Sequence, residues 1–71
     1  MNEKELIKLV SKSLKIKANA KTSSENTPEW DSIGHLSILS AIDKYTKGKA
    51  EKIDLASSFS IKKLSVKLKK I

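Results

Sequence analysis

The sequence has no cysteine. That excludes a disulfide framework, a thiolate metal site and a cysteine nucleophile, and nothing speaks for an oxidising compartment. With a single histidine besides, a structural zinc site lacks ligands. Arginine is missing too: all fifteen basic residues are lysine. Sites that read phosphates or base edges usually draw on the planar fork of arginine, so the net charge of +7 reads first as solvated lysine surface. Two glycines leave no Gly-rich phosphate loop, and no segment shows the period-2 alternation of a strand. No apolar run approaches membrane-spanning length, and the opening MNEKELIKLV lacks the apolar core of a signal peptide. A cytoplasmic protein without membrane insertion is expected.

What remains is one domain, residues 1–71, near the size at which a single core barely suffices. Its charge is unevenly spread. Residues 1–27 carry six Lys against three acids, residues 28–46 one Lys against three acids, and residues 47–71 eight Lys against two acids. The acidic centre coincides with the most informative stretch of the chain.

Asn2 and Glu5 form a capping pair, and Leu6, Val10 and Leu14 follow at helical spacing, which predicts a first helix from about Glu3 to about Ile16. Glu5 and Lys8 are spaced to form an ion pair on it. Residues 17–30, KANAKTSSENTPEW, have almost no apolar content and hold the one proline, so they read as a long loop, functional or mobile. Trp30 at its end reads as a core plug. Residues 47–52, KGKAEK, read as a connector. Asp54 is placed to cap a short third helix through Leu55, Ala56 and Phe59, and Ser60 to cap a last helix with a buried stripe of Ile61, Leu64, Leu68 and Ile71. Trp30, Leu39, Ile42, Phe59 and Leu64 are the expected large core side chains.

The centre of the argument is WDSIGHLSILSAI, residues 30–42. Asp31 is a good N-cap, which makes Ser32 the first residue of a helix running to about Thr46. A hydroxyl at that position points away from the helix body. A phosphate on it would stand beside free backbone N–H groups and the positive end of the macrodipole. The same residues also read simply as the start of a helix. On a helical wheel Gly34, His35, Ile38, Leu39, Ala41, Ile42 and Tyr45 share one broad arc that must face the core. The opposite arc holds Ser32, Ser37, Ser40, Asp43 and Lys44, and into it fall two apolar residues, Ile33 and Leu36. Single exposed apolar residues are common on protein surfaces, and these two read equally as such or, flanking a presented hydroxyl, as a small docking surface.

Serine-hydrolase chemistry would need Ser32 as nucleophile, His35 as base and Asp31 or Asp43 as orienting acid. The wheel turns His35 toward the core, no strand–turn–helix elbow exists, and so small a helical domain has little room for an oxyanion hole. His35 reads instead as a hydrogen-bonded residue at the edge of the core.

Taken together, Trp30, Asp31, Ser32, Ile33, Gly34, His35 and Leu36, opening a second helix after a long loop, resemble the acyl carrier protein family. The four-helix layout is similar over essentially the whole chain. The resemblance implies an all-α fold: a small four-helix bundle with a long loop between helices 1 and 2 and a short third helix. It implies 4′-phosphopantetheine attached to Ser32, with an acyl or aminoacyl group carried as a thioester on its terminal thiol. Asp31, as N-cap, would assist a phosphopantetheinyl transferase, and Ile33, Leu36, Ser37 and Ser40 would meet acyl- or aminoacyl-loading and acyl-transfer enzymes. No catalytic residue, metal or nucleic acid is implied, and the carrier would act as a monomer. The chain departs from the family in two ways. Members are strongly acidic along helix 2, where this chain has Ser37, Ser40 and Lys44, and Ile33 stands where they most often have Leu. The departure points to a dedicated carrier in a specialised pathway, such as an aminoacyl or surface-polysaccharide one. The alternative class is a small basic helical module that binds nucleic acid or an anionic surface through its Lys-rich ends.

Overall fold

The computed structural model describes residues 1–69. Three helices follow one another: α1 (Glu3–Leu14), α2 (Ser32–Thr46) and α3 (Ile61–Leu68). No strand occurs among the described residues, which establishes the all-α class. Each helix starts where a short polar side chain replaces a missing intrahelical partner. The Asn2 side chain accepts from the Glu5 N–H while the Glu5 carboxylate accepts from the Asn2 N–H, a reciprocal capping box. The Asp31 carboxylate accepts from the Gly34 N–H and the Ser60 hydroxyl from the Lys63 N–H. Because Glu5 is engaged at its own helix terminus, the expected ion pair with Lys8 does not form.

The helices also end for local reasons. α1 stops at Leu14, two residues before the expected end, because Lys15 turns left-handed (φ 56°) and the Ile16 N–H returns to the Ser11 carbonyl. Lys47 ends α2 the same way (φ 55°), and the Gly48 N–H reaches back to the Asp43 carbonyl.

The expected four-helix bundle is corrected to three helices. Residues 54–59 form turns, not a helix. The Asp54 carboxylate accepts from Ala56, two residues on, rather than from the third residue as a helix cap would. Single four-residue turns, closed by the Lys49, Glu51 and Ile53 N–H groups before Asp54 and by the Ser58 N–H after it, make up the connection. A segment this short cannot offset the cost of helix nucleation when Leu55 is its one buried apolar side chain, Ser58 being buried but polar.

α1 packs against both α2 and α3, whereas α2 and α3 do not pack directly on each other. The connection 47–60 links those two instead: the Leu55 carbonyl meets His35 of α2, and the Asp54 carbonyl accepts from Lys67 Nζ of α3 at 2.6 Å. The core unites Leu6, Val10 and Leu14 of α1, Ile38 and Ile42 of α2, and Ile61, Leu64 and Leu68 of α3 with Trp30, Ala50 and Leu55 from the connections. Ile71, the last member of the expected stripe, lies outside the described residues. Four placements differ from the expected core. On α2, Leu39 and Ala41 are only half-buried and Tyr45 is 51% exposed, and in the second connection Phe59 is 39% exposed. Thr46 takes the buried position at the end of α2, its hydroxyl satisfied by the Ile42 carbonyl at 2.8 Å.

The long loop is built from side-chain-to-backbone bonds rather than apolar packing. Thr22, buried, accepts from the Asn19 N–H, while Asn26 accepts from the Ser23 N–H and donates to the Lys21 carbonyl. Ser11 of α1 accepts from the Ala18 N–H. An isolated antiparallel bridge pairs Ser23 with Ser60, the Ser24 N–H donating to the Phe59 carbonyl and the Ile61 N–H to the Thr22 carbonyl. The two long connections are therefore fastened together beside the start of α3.

Candidate functional site

Trp30, Asp31 and Ser32 divide three tasks among consecutive residues. Trp30 is 2% exposed, Asp31 is extended at the helix entrance, and Ser32 is exposed as the first helical residue. The Asp31 carboxylate holds the Gly34 N–H at 2.8 Å, and the Asp31 carbonyl takes the His35 N–H at 2.8 Å. Among the described residues, the N–H groups of Ser32 and Ile33 then have no acceptor and the Ser32 hydroxyl has no hydrogen-bond partner. An unencumbered hydroxyl thus stands beside two free donors at the positive end of a helix of 15 residues.

Two residues hold this arrangement from below. Gly34 allows the loop end to lie on the first turn of α2: a Cβ there would collide with the Glu29 carbonyl oxygen and come within 2.9 Å of Leu14 Cδ2. His35, 5% exposed, is bonded on both sides of its ring. The Trp30 indole N–H donates to Nδ1 at 3.0 Å, and because an indole can only donate, the ring proton sits on Nε2 and is given to the Leu55 carbonyl at 3.0 Å. Trp30 stacks near the imidazole with centroids 6.2 Å apart, and Phe59 covers it at 4.3 Å. Phe59 therefore works as a lid on His35, one face against the ring and part of its surface in water, rather than as the core residue expected of it.

The other expected site residues fall on one exposed stripe. Ile33 is 75% exposed and Leu36 66%. With Ser37, Ser40, Ala41 and Lys44 they line a shallow depression of about 450 Å³ that descends α2 from Ser32. The wheel places Ile33, Leu36, Ser37 and Ser40 here. It misses Ala41, whose small side chain opens the floor of the depression. It also misses the partners of His35, for which the only sequence signal is a tryptophan five residues before a histidine on a core-facing arc. No His/Cys/Asp/Glu cluster able to hold a metal ion occurs among the described residues, and no helix among them is long and apolar enough to cross a membrane. Comparison of the chain with protein-family models, with curated proteins and with solved structures gives no match.

Proposed function

We propose that this chain is an acyl carrier protein of a specialised biosynthetic pathway. Ser32 Oγ would bear a 4′-phosphopantetheine arm, and the chain would pass an acyl or aminoacyl group between partner enzymes. The observation that carries the reading is the setting of Ser32: an exposed hydroxyl without a hydrogen-bond partner among the described residues, next to two N–H groups likewise unbonded at a helix N-terminus. Those residues fit a phosphodiester, which needs donors and positive potential around it and space for what lies beyond. When bound, the arm supplies the thiol on which the cargo is held as a thioester.

The surroundings support a carrier rather than a catalyst. Both ring nitrogens of His35 are occupied by Trp30 and Leu55, so no base stands ready for the Ser32 hydroxyl. Activation of Ser32 then belongs to a separate phosphopantetheinyl transferase. Asp31 keeps one carboxylate oxygen on Gly34, and the other has no donor among the described residues, which leaves it available to that transferase. Ile33 and Leu36 would supply apolar contact for loading and acyl-transfer enzymes, with Ser37 and Ser40 as neutral neighbours.

The test is incubation of the pure protein with coenzyme A and a broad-specificity phosphopantetheinyl transferase, read by intact mass and peptide mapping. One arm at Ser32 is expected, and Ser32→Ala should gain no mass. Unmodified wild-type protein beside a control carrier that is fully modified, or an arm on another serine, refutes the reading.

A further inference from the structure

Between α1 and the second half of α2 lies an open groove of about 840 Å³, floored by Leu9, Ala41 and Tyr45 and rimmed by Lys8, Lys12 and Lys44. Leu9 and Ala41 are half-buried, Tyr45 is 51% exposed, and the three lysines are exposed. None of the three ammonium groups is paired with a carboxylate among the described residues. Glu5, the one acid lining the groove, is turned to the Asn2 N–H at 3.1 Å. The groove therefore joins recessed apolar surface to three unneutralised positive charges, two of them one turn apart on α1, where like charges repel.

We propose that this groove is a docking surface for an acidic amphipathic helix of a partner protein. Apolar side chains of that helix would enter between Leu9, Ala41 and Tyr45, and its carboxylates would meet Lys8, Lys12 and Lys44. The charge complementarity selects the sign of the partner, and the concavity selects its shape. A bilayer is engaged by several apolar side chains that protrude beyond a basic rim, whereas here Leu9 and Ala41 are half-buried and Tyr45 alone is exposed. A nucleic-acid backbone would use the lysines and leave the apolar floor unused. Tyr45 suits the centre of such an interface, since its ring offers apolar contact and its hydroxyl a hydrogen bond. Ala41 and Lys44 also line the depression below Ile33 and Leu36, so a helix in the groove extends toward the first turn of α2. The inference stands whether or not Ser32 bears an arm.

The experiment titrates the full-length, unmodified, ¹⁵N-labelled protein with four probes. They are a synthetic helix with leucine at i, i+3, i+4 and i+7 flanked by glutamates, the same helix with lysines for glutamates, a glutamate peptide without leucines, and phosphatidylglycerol vesicles. The acidic amphipathic helix alone should move the amide resonances of Leu9, Ser13, Ala41 and Tyr45. Tyr45→Ser and the Lys8→Glu/Lys44→Glu double variant should each weaken its binding by about tenfold, while Lys62→Glu on α3 leaves it within about twofold. Ala41→Glu, which places a bulky carboxylate in the groove and lowers its positive charge, provides the same readout should Tyr45→Ser fold poorly. Equal shifts with the lysine or leucine-free peptide, shifts centred outside the groove, or groove shifts with vesicles but not with the acidic helix overturn the proposal. All of these readouts are independent of arm attachment, so failure here is distinguishable from failure of the carrier reading.

Discussion

Gly34→Ala sets two ordinary effects against each other, and the structure decides the sign. Alanine is the better helix former, by about 0.5–1 kcal/mol in a helix interior. Position 34 lies in the first turn, so that gain is at the low end. Against it, the new Cβ would overlap the Glu29 carbonyl oxygen and press on Leu14 Cδ2. Leucine can rotate away, but the carbonyl is main chain and moves only with the loop end. Overpacking of this kind costs about 1–3 kcal/mol. Displacing Glu29 also disturbs Asp31, whose cap is worth about 1 kcal/mol. We expect a net loss of about 1–3 kcal/mol from a total that, for a chain this short, is on the order of 4–11 kcal/mol. With a urea m-value of about 1 kcal/mol/M for so small a protein, the unfolding midpoint should fall by about 1–3 M. Trp30, 2% exposed and adjacent to the displaced segment, reports the transition through its emission. An unchanged or raised midpoint would mean that helix propensity outweighs the close approach, and that the loop end does not seat on α2 as described.

Other substitutions test other ties. His35→Phe keeps a ring between Trp30 and Phe59 but strands the Trp30 indole N–H and the Leu55 carbonyl; at about 1–3 kcal/mol for each unsatisfied buried group, it should cost more than Gly34→Ala in the same urea assay. Phe59→Ala should cost less than Leu64→Ala, which removes a side chain with no exposure and falls in the range of about 2–5 kcal/mol; the reverse order in thermal melts would contradict the placement of Phe59 as a lid. On the carrier reading, Leu36→Ala should weaken a cognate enzyme's apparent affinity for the loaded protein more than Asp43→Asn, since burying such a side chain is worth about 1.5–3 kcal/mol and an exposed ion pair about 0.2–1. Steady-state kinetics with both variants checks this, and greater damage from Asp43→Asn would favour electrostatic recruitment.

Features governed by neighbours in sequence are legible in the residues themselves. Asn2, Asp31 and Ser60 cap helices because capping needs only a short acceptor and the next three residues, and α2 has the bounds its pattern predicts. The exposure of Ile33 and Leu36 follows from helical periodicity alone. What escapes such a reading depends mostly on residues far apart in the chain. The end of α1 is a local exception, hidden because a lysine takes the left-handed position where glycine is usual. The region 54–59 reads as a helix only if Asp54 bonds forward to its third residue. In the fold it closes a tighter turn, and Leu55 gives its carbonyl to His35, twenty residues earlier. Size alone assigns Phe59 to the core, but its place is set by the His35 ring and by a main-chain bridge to the long loop that no local pattern announces.

That bridge bears on how Ser32 is presented. The hydroxyl stands at the tip of α2, yet the groups that fix α2's first turn come largely from the connections rather than from neighbouring helices. The long loop contributes Glu29 and Trp30, the second connection contributes Leu55 and Phe59, and all four converge on Gly34 and His35. The Ser32 side chain itself has no hydrogen bond among the described residues. Rigidity one turn below and freedom at the tip are compatible because the helix transmits position along its backbone, so a residue at the first turn needs no bonds of its own to be well placed. A side chain that must be reached by a partner gains from this division: every hydrogen bond on Ser32 would have to be broken on engagement, whereas bonds on His35 remain intact. On the carrier reading, the lack of side-chain hydrogen bonds on Ser32 among the described residues suits it to bear an arm, and the dense bonding of His35, which would obstruct a catalytic base, holds the first turn in its place.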